Sequence, residues 1–309
     1  MAFNPTLLPK VQGRYAFEAP LSDLTWFQVG GPTQVLFRPA DVKDLCHFLH
    51  HKPTELPLWC LGAGSNVLVR DGGWNGIVLR LGRSFATLER QGNLLIIGAG
   101  CLDRTAALTA CQLGLSGLEF LIGIPGTLGG AIAMNAGAYG YEIKDRLVWI
   151  EWITPEGILQ KVENHAQRMT YRHGHLPPGV IVTRAAFLCE PQNPTLIQER
   201  HHFFLEEREK SQPIKGRTGG STFKNPSQGE KAWQLIDRSG CRGLRIGDAQ
   251  VSEKHCNFLL NLGQATATDL ENLGETVQSK VLDQTGVLLE WEILRIGEPL
   301  DKVTLLRAS

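Results

Sequence analysis

Seven glycines fall within the 24 residues from Gly117 to Gly140, a run whose only charge is Glu119. The run is too apolar for a flexible linker, because Gly/Ser linkers are polar and solvated. Its glycines alternate with Leu, Ile, Phe and Met, which favour burial. A buried backbone with few side chains has N–H groups that need acceptors. Successive N–H groups of that kind form anion-binding nests, so one reading is the cradle of a phosphate-bearing cofactor. The other is a set of tight turns in a β-rich core. The run alone leaves both open.

A chain of 309 residues has room for two or three domains with sizeable cores. Lys+Arg and Asp+Glu both number 31, so no charge excess points to nucleic acid or a membrane surface as partner. The seven cysteines are odd in number, irregularly spaced and without a Cys-x-x-Cys pair. That pattern argues against a disulfide framework or a zinc site and for reduced thiols in a cytoplasmic protein. No window reaches signal-peptide or transmembrane character.

Periodicity divides the chain into three α/β-rich stretches. The first holds strands at Gln34–Phe37, Pro57–Leu61, Val67–Val69 and Ile77–Leu81. Asp41 caps a helix with Val42, Leu45, Phe48 and Leu49 on one face. The second stretch starts near residue 85 with a strand at Asn93–Ile97 and a helix at Leu102–Leu113 stopped by Gly114. A hairpin follows, Val148–Ile153 and Ile158–Val162 around Thr154–Gly157, then a strand at Val180–Cys189. Thr195–Lys210 reads as a charged helix whose tail, Glu206–Lys210, is a solvated face. The third stretch begins after Ser211. It predicts a helix at Lys231–Ser239, a second helix capped by Thr268 with Glu271 completing a capping box, and a strand at Val287–Ile296.

Gly62-Ala63-Gly64-Ser65-Asn66 follows a strand but lacks the third glycine and the helix of a Rossmann turn. No Gly-Lys-Ser/Thr sequence follows a glycine loop, which excludes a P-loop. Two glycine-rich turns in one α+β region fit a dinucleotide held between two subdomains, and a flavin rather than a nicotinamide. Gly219–Pro226 contains the hydroxyl of Ser221, the cation of Lys224 and the amide of Asn225, a ligand-binding turn or an ordinary one. Tyr171-Arg172 and the alternating Glu290 and Glu292 read most simply as surface features when taken singly. His47, His50 and His51 lack a carboxylate or thiol to complete a metal site and read as a solvated helix end.

Together these segments form an ordered set. They are Phe27–Pro32, Gly62–Asn66, Gly117–Gly140, Tyr171-Arg172, Gly220–Pro226, Ala249–Phe258 and Leu289–Glu292. In that order and spacing the chain resembles the UDP-N-acetylenolpyruvoylglucosamine reductase family, flavoenzymes that form UDP-N-acetylmuramate for peptidoglycan, in its compact second subtype. The resemblance implies an α+β fold. A two-subdomain FAD-binding unit of the vanillyl-alcohol-oxidase / p-cresol-methylhydroxylase type precedes a C-terminal α+β substrate domain. The implied boundaries are 1–84, joined by 292–309, then 85–210 and 211–291.

It also implies FAD and NADPH as cofactors, a nucleotide-sugar substrate, a monomer and no metal. The implied FAD contacts are Gly62, Ala63, Gly64, Ser65, Asn66 and Val67 on one wall. Ile122, Gly123, Ile124, Pro125, Gly126, Thr127, Gly129, Gly130, Ala131 and Ala133 form the other, with Asn135, Gly137, Ala138 and Tyr139 close by. Tyr171, Lys224 and Asn225 are implied substrate contacts. In the implied reaction NADPH reduces FAD, and the hydride passes to the enolpyruvyl methylene carbon. Ser221 then protonates the resulting enolate, with Arg172 and a protonated Glu292 of raised pKa stabilising it. Two positions depart from the family pattern. Gly174 stands for a serine after Tyr-Arg, and Arg295 lies one place late on its strand, which turns it to the other face unless a bulge re-aims it. The competing readings are an FAD oxidase of the same fold acting on an alcohol or sugar, and a nucleotide-sugar binding protein without catalysis.

Overall fold

Alternating and continuous apolar runs set three main cores, and the sheets that carry them place the site. The computed structural model describes residues 4–300. Residues 301–309 of the implied returning segment lie outside the described residues.

The first sheet contains Arg14–Pro20 (β1), Pro32–Arg38 (β2), Leu58–Cys60 (β3) and Trp74–Leu79 (β5), in the order β1-β2-β5-β3. β1 runs antiparallel to β2, whereas β5 runs parallel to both β2 and β3. Val42–His51 (α1) covers one face, burying Leu45, Phe48 and Leu49 against Val35, Phe37, Ile77 and Leu79. As expected, Asp41 caps α1, accepting from the Asp44 amide at 2.8 Å. Val67–Val69 (β4) leaves this sheet and pairs in parallel with the final strand, Leu294–Ile296.

The second sheet is antiparallel and five-stranded. Leu88–Gln91 (β6) and Leu94–Gly98 (β7) form one edge, Ile181–Leu188 is central, and the hairpin of Leu147–Ile153 and Leu159–Glu163 completes it. Asp103–Gln112 (α2), Leu128–Ala133 (α3) and Pro194–Ser211 (α4) accompany this sheet. The glycine run packs among them, with Phe120, Leu121, Ile122, Leu128 and Ile132 buried in the same core as Ile97 and Phe187. The third core joins Ala232–Arg238 (α5) and Ala267–Thr285 (α6) to a small antiparallel sheet of Arg245–Ile246, Ala249–Val251 and Leu259–Asn261.

Three sequence expectations need correction. The α6 cap is Thr266 with Asp269, not Thr268 with Glu271. The same Thr-x-x-acid pattern occurs two residues earlier, and Thr268 instead donates its hydroxyl to Asp71 at 2.6 Å. The late strand is short: residues before Leu294 are not in a regular strand, because Trp291 pairs only through an isolated bridge to Phe223. β1 and β6, both mostly exposed, and the six-residue α3 inside the glycine run had not been expected.

Arg295 also has a settled place. The pairing of Leu294–Ile296 with β4 has no bulge, and Arg295 bonds Glu271 at 2.9 Å and Glu275 at 3.3 Å on α6. Its guanidinium stacks over Trp291. Arg70 binds Glu271 at 2.8 Å, and the Asp71 carboxylate accepts from the Ala267 and Thr268 amides at 2.9 Å. This charged clamp seats α6 against the pair of β4 and the final strand.

Candidate active site

The two glycine-rich turns face one another across a cavity of about 710 Å³, within the usual range for ligand sites. Gly62, Ala63, Ile122, Ile124, Pro125, Gly126, Thr127, Gly129, Gly130 and Ala133 line it. Among the described residues, none of the N–H groups of Gly62–Asn66 has a protein acceptor, and the same holds for Gly126, Thr127 and Gly130. Of these, Gly62 and Ala63 line one wall and Gly126, Thr127 and Gly130 the other, so unpaired donors flank the cavity from two sides, which suits a ligand rich in acceptors, as a pyrophosphate is. The residues present therefore fit a dinucleotide.

Several expected contacts do other work. Val67 and Ala131 are buried in the cores. Asn135 is fully enclosed; its amide nitrogen donates to Glu142 and Thr170, and its oxygen accepts from the Lys144 amide. Tyr139 stacks on Phe204 and donates its hydroxyl to the Phe204 carbonyl at 2.7 Å. Ser65 donates to the Pro125 carbonyl, tying one glycine turn to the other. Gly64, Gly123 and Ala138 are outside the cavity lining.

Arg208 corrects the reading of the α4 tail as a solvated face. It lines the cavity and donates to the Gly123 carbonyl and to Gln212. Burial lowers its pKa. A single charged residue turned inward from an otherwise polar helix leaves no periodic signal. Arg80, Cys60 and the segment Val180–Val182 also line the cavity and were not anticipated.

Asp103 was missed as well. It is fully buried at the start of α2, and neither carboxylate oxygen has a hydrogen-bond partner among the described residues. A Cβ on Gly126 would lie 2.5 Å from its Oδ2, so a side chain there would collide with the carboxyl. Burial raises the Asp103 pKa well above its ordinary value of 3.8. An acid raised on folding contributes most below its unfolded pKa and weakens the fold as pH rises through the folded value. Asp103→Asn is therefore expected to raise the Tm of the flavin-free protein near pH 8, by about 2–4 °C for each kcal/mol relieved. The gain should vanish near pH 4; a constant gain at every pH would show that the charge is not the cause.

The candidate catalytic residues meet beside the glycine loop. The segment 221–224 is stitched between two others. Thr222 and Phe223 donate their amides to Asn257, and the Glu292 amide donates to the Thr222 carbonyl at 2.8 Å. Asn66 donates to the Glu292 carbonyl at 3.2 Å, and its own carbonyl accepts from the Leu294 amide. Ser221 and Glu292 thus lie on neighbouring segments next to Gly62–Asn66. Arg172 arrives from 120 positions away and bonds Glu292 Oε1 through Nε at 2.9 Å, with Nη2 donating to the Gly137 carbonyl. Its φ of 54° is left-handed, a backbone cost held in place by these bonds. The Tyr171 ring lies against its guanidinium. Burial raises the Glu292 pKa, and it outweighs the opposing pull of Arg172 and Lys224.

Lys224 reaches the exposed Glu290 at 3.4 Å. Asn225 uses its side-chain oxygen to accept the Ala232 amide at the start of α5. Gly174 has a steric explanation: a Cβ there would lie 2.3 Å from the Ile132 carbonyl oxygen, so a serine does not fit this backbone. Among the described residues no cluster suits a metal, all seven cysteines are free, and no helix is long and apolar enough to cross a membrane.

Opposed nests of free amides in an α+β scaffold suit a dinucleotide-binding protein, and residues 33–163 match the FAD binding domain family. Residues 212–296 match the C-terminal domain of UDP-N-acetylenolpyruvoylglucosamine reductase. The chain is 54% identical over 292 residues to the reductase of that name from Acidiphilium cryptum, covering 94% of each, and 55% identical over 287 residues to that of Gluconobacter oxydans, covering 93% of this chain and 94% of the relative. The crystal structure of the Thermus caldophilus reductase superposes with a TM-score of 0.80 at 36% identity, over 93% of this chain and all of that one. The chain belongs to the UDP-N-acetylenolpyruvoylglucosamine reductase family and is an FAD-dependent oxidoreductase.

Proposed function

We propose that this enzyme reduces UDP-N-acetylenolpyruvoylglucosamine to UDP-N-acetylmuramate, a peptidoglycan precursor, with NADPH as the source of electrons. The observation that carries the reading is the Arg172–Glu292 pair, joined at 2.9 Å beside the Ser221 segment and the free amides of Gly62–Asn66. FAD, when bound, supplies hydride transfer from NADPH to the enolpyruvyl methylene carbon. Gly62–Asn66 on one wall and Gly126, Thr127 and Gly130 on the other hold its pyrophosphate through their N–H groups.

The chain's own residues handle charge and proton. Hydride addition leaves an enolate next to the substrate carboxylate, and that carbanion is basic enough to take a proton from an alcohol. Ser221 Oγ delivers the proton to the carbon bearing the ether oxygen. Arg172 faces the developing negative charge. Glu292, whose pKa is raised by burial against the pull of Arg172, donates a hydrogen bond to it in its protonated form. Tyr171, Lys224 and Asn225 hold the nucleotide sugar. Residues 1–84 with the returning segment from 292, residues 85–210 and residues 211–291 act as the two cofactor subdomains and the substrate domain of a cytoplasmic monomer.

Anaerobic addition of NADPH to the yellow enzyme is expected to bleach the flavin absorbance, and UDP-N-acetylenolpyruvoylglucosamine to restore it. Restoration by oxygen and not by this substrate would favour an alcohol or sugar oxidase. A colourless protein that binds the nucleotide sugar would favour a binding protein.

A further inference from the structure

β2, β5 and β3 run parallel, and their carboxyl ends lie together: Arg38 ends β2, Arg80 follows β5, and Leu61-Gly62 follows β3. Hydrogen bonds fix the alignment. Arg80 donates its amide to the Phe37 carbonyl at 2.9 Å, and Leu61 donates to the Leu79 carbonyl at 2.8 Å. Ligands of open α/β sheets bind outside such carboxyl ends. Arg80 is therefore a neighbour of the first free amide of the glycine turn.

Three arginines line the cavity: Arg80, Arg104 and Arg208. Arg208 has acceptors, and Arg104 is exposed to solvent. Arg80 is half-buried, and its guanidinium has neither a hydrogen bond nor an ion pair among the described residues. The charged group that acts on it is Arg38, of the same sign. A cation that is partly desolvated beside another cation is unfavourable in the empty protein. Such an arrangement becomes favourable once an anion enters.

We propose that Arg80 binds the pyrophosphate of the dinucleotide, adding a charge-assisted hydrogen bond to those of the Gly62–Asn66 amides. The proposal rests on the reading of this cavity as the FAD site. Its chemistry distinguishes among ligands: FAD and ADP carry the pyrophosphate, and riboflavin carries none.

The test titrates FAD, ADP and riboflavin against the flavin-stripped full chain and its Arg80→Gln and Arg80→Lys variants. Flavin fluorescence follows FAD and riboflavin, and calorimetry follows ADP. Arg80→Gln is expected to weaken FAD and ADP by about 10- to 100-fold, the worth of one hydrogen bond to a charged group. Riboflavin affinity should be unchanged, and Arg80→Lys should lose less than Arg80→Gln. The Tm of flavin-free Arg80→Gln should equal or exceed that of the parent, because repulsion from Arg38 is relieved. Unchanged FAD and ADP affinities, or an equal loss for riboflavin, would overturn the role of Arg80. Failure of the unsubstituted chain to bind FAD at all would overturn the cofactor reading itself.

Discussion

Replacing Ser221 by alanine is expected to slow reoxidation of the flavin by the enolpyruvyl substrate by about 10²-fold or more, the usual contribution of a general acid. Flavin reduction by NADPH should stay near the native rate. The asymmetry follows from the chemistry: only the second half-reaction ends with a proton on carbon. The substitution removes one oxygen and leaves the backbone pairing of Thr222 with Asn257 and Glu292 in place, so the loss should not reflect a displaced segment. Single-mixing absorbance measurements of each half-reaction give the answer. Equal slowing of both halves would remove Ser221 as the proton donor.

The second large effect concerns Glu292. Glu292→Ala should lower the rate of the substrate half-reaction by about 10²–10³-fold, as for loss of one preorganised donor to a developing anion. Glu292→Gln keeps a neutral donor in the same place and should retain at least ten times more activity, on the order of one pKa-sized free-energy step. pH provides a separate test. Burial raises the carboxyl's pKa, with Arg172 opposing. If the neutral acid is the working form, the native rate declines as pH rises through that raised value. Glu292→Gln should lack that decline. A Gln variant no better than Ala, with the pH limb intact, would contradict the neutral-donor role.

How far the sequence could be read depended on whether a signal was local. The Asp41 cap, the apolar face of α1 and the hairpin around Thr154–Gly157 are set by residues within a turn or two of one another, and they formed where expected. The α6 start was misplaced by two residues because two overlapping Thr-x-x-acid patterns compete, and only the Asp71 carboxylate, about 200 positions away, shows which threonine is free to cap. β1 alternates only weakly, with Tyr15, Phe17 and Ala19 set against Arg14, Ala16 and Glu18, and just one of its seven residues is buried. Asp103, Arg80 and Arg208 carried no periodic signal, since each is one polar residue directed inward, Asp103 and Arg208 from helices and Arg80 from just past the end of β5.

By itself, the sequence determined the residue types of the site and the order in which they occur. The apolar glycine run cannot remain solvated, so it had to be buried, as a ligand cradle or as tight turns within a core. Only the tertiary structure decided which groups face each other. Pairing of Leu294–Ile296 with β4 brings Glu292 beside Asn66, and the left-handed turn at Arg172 carries its guanidinium to that carboxyl. Those contacts span 226 and 120 residues, distances at which no sequence pattern records spacing in space. Burial then sets the chemistry: desolvation raises the pKa of a glutamate that the sequence alone would leave on the surface.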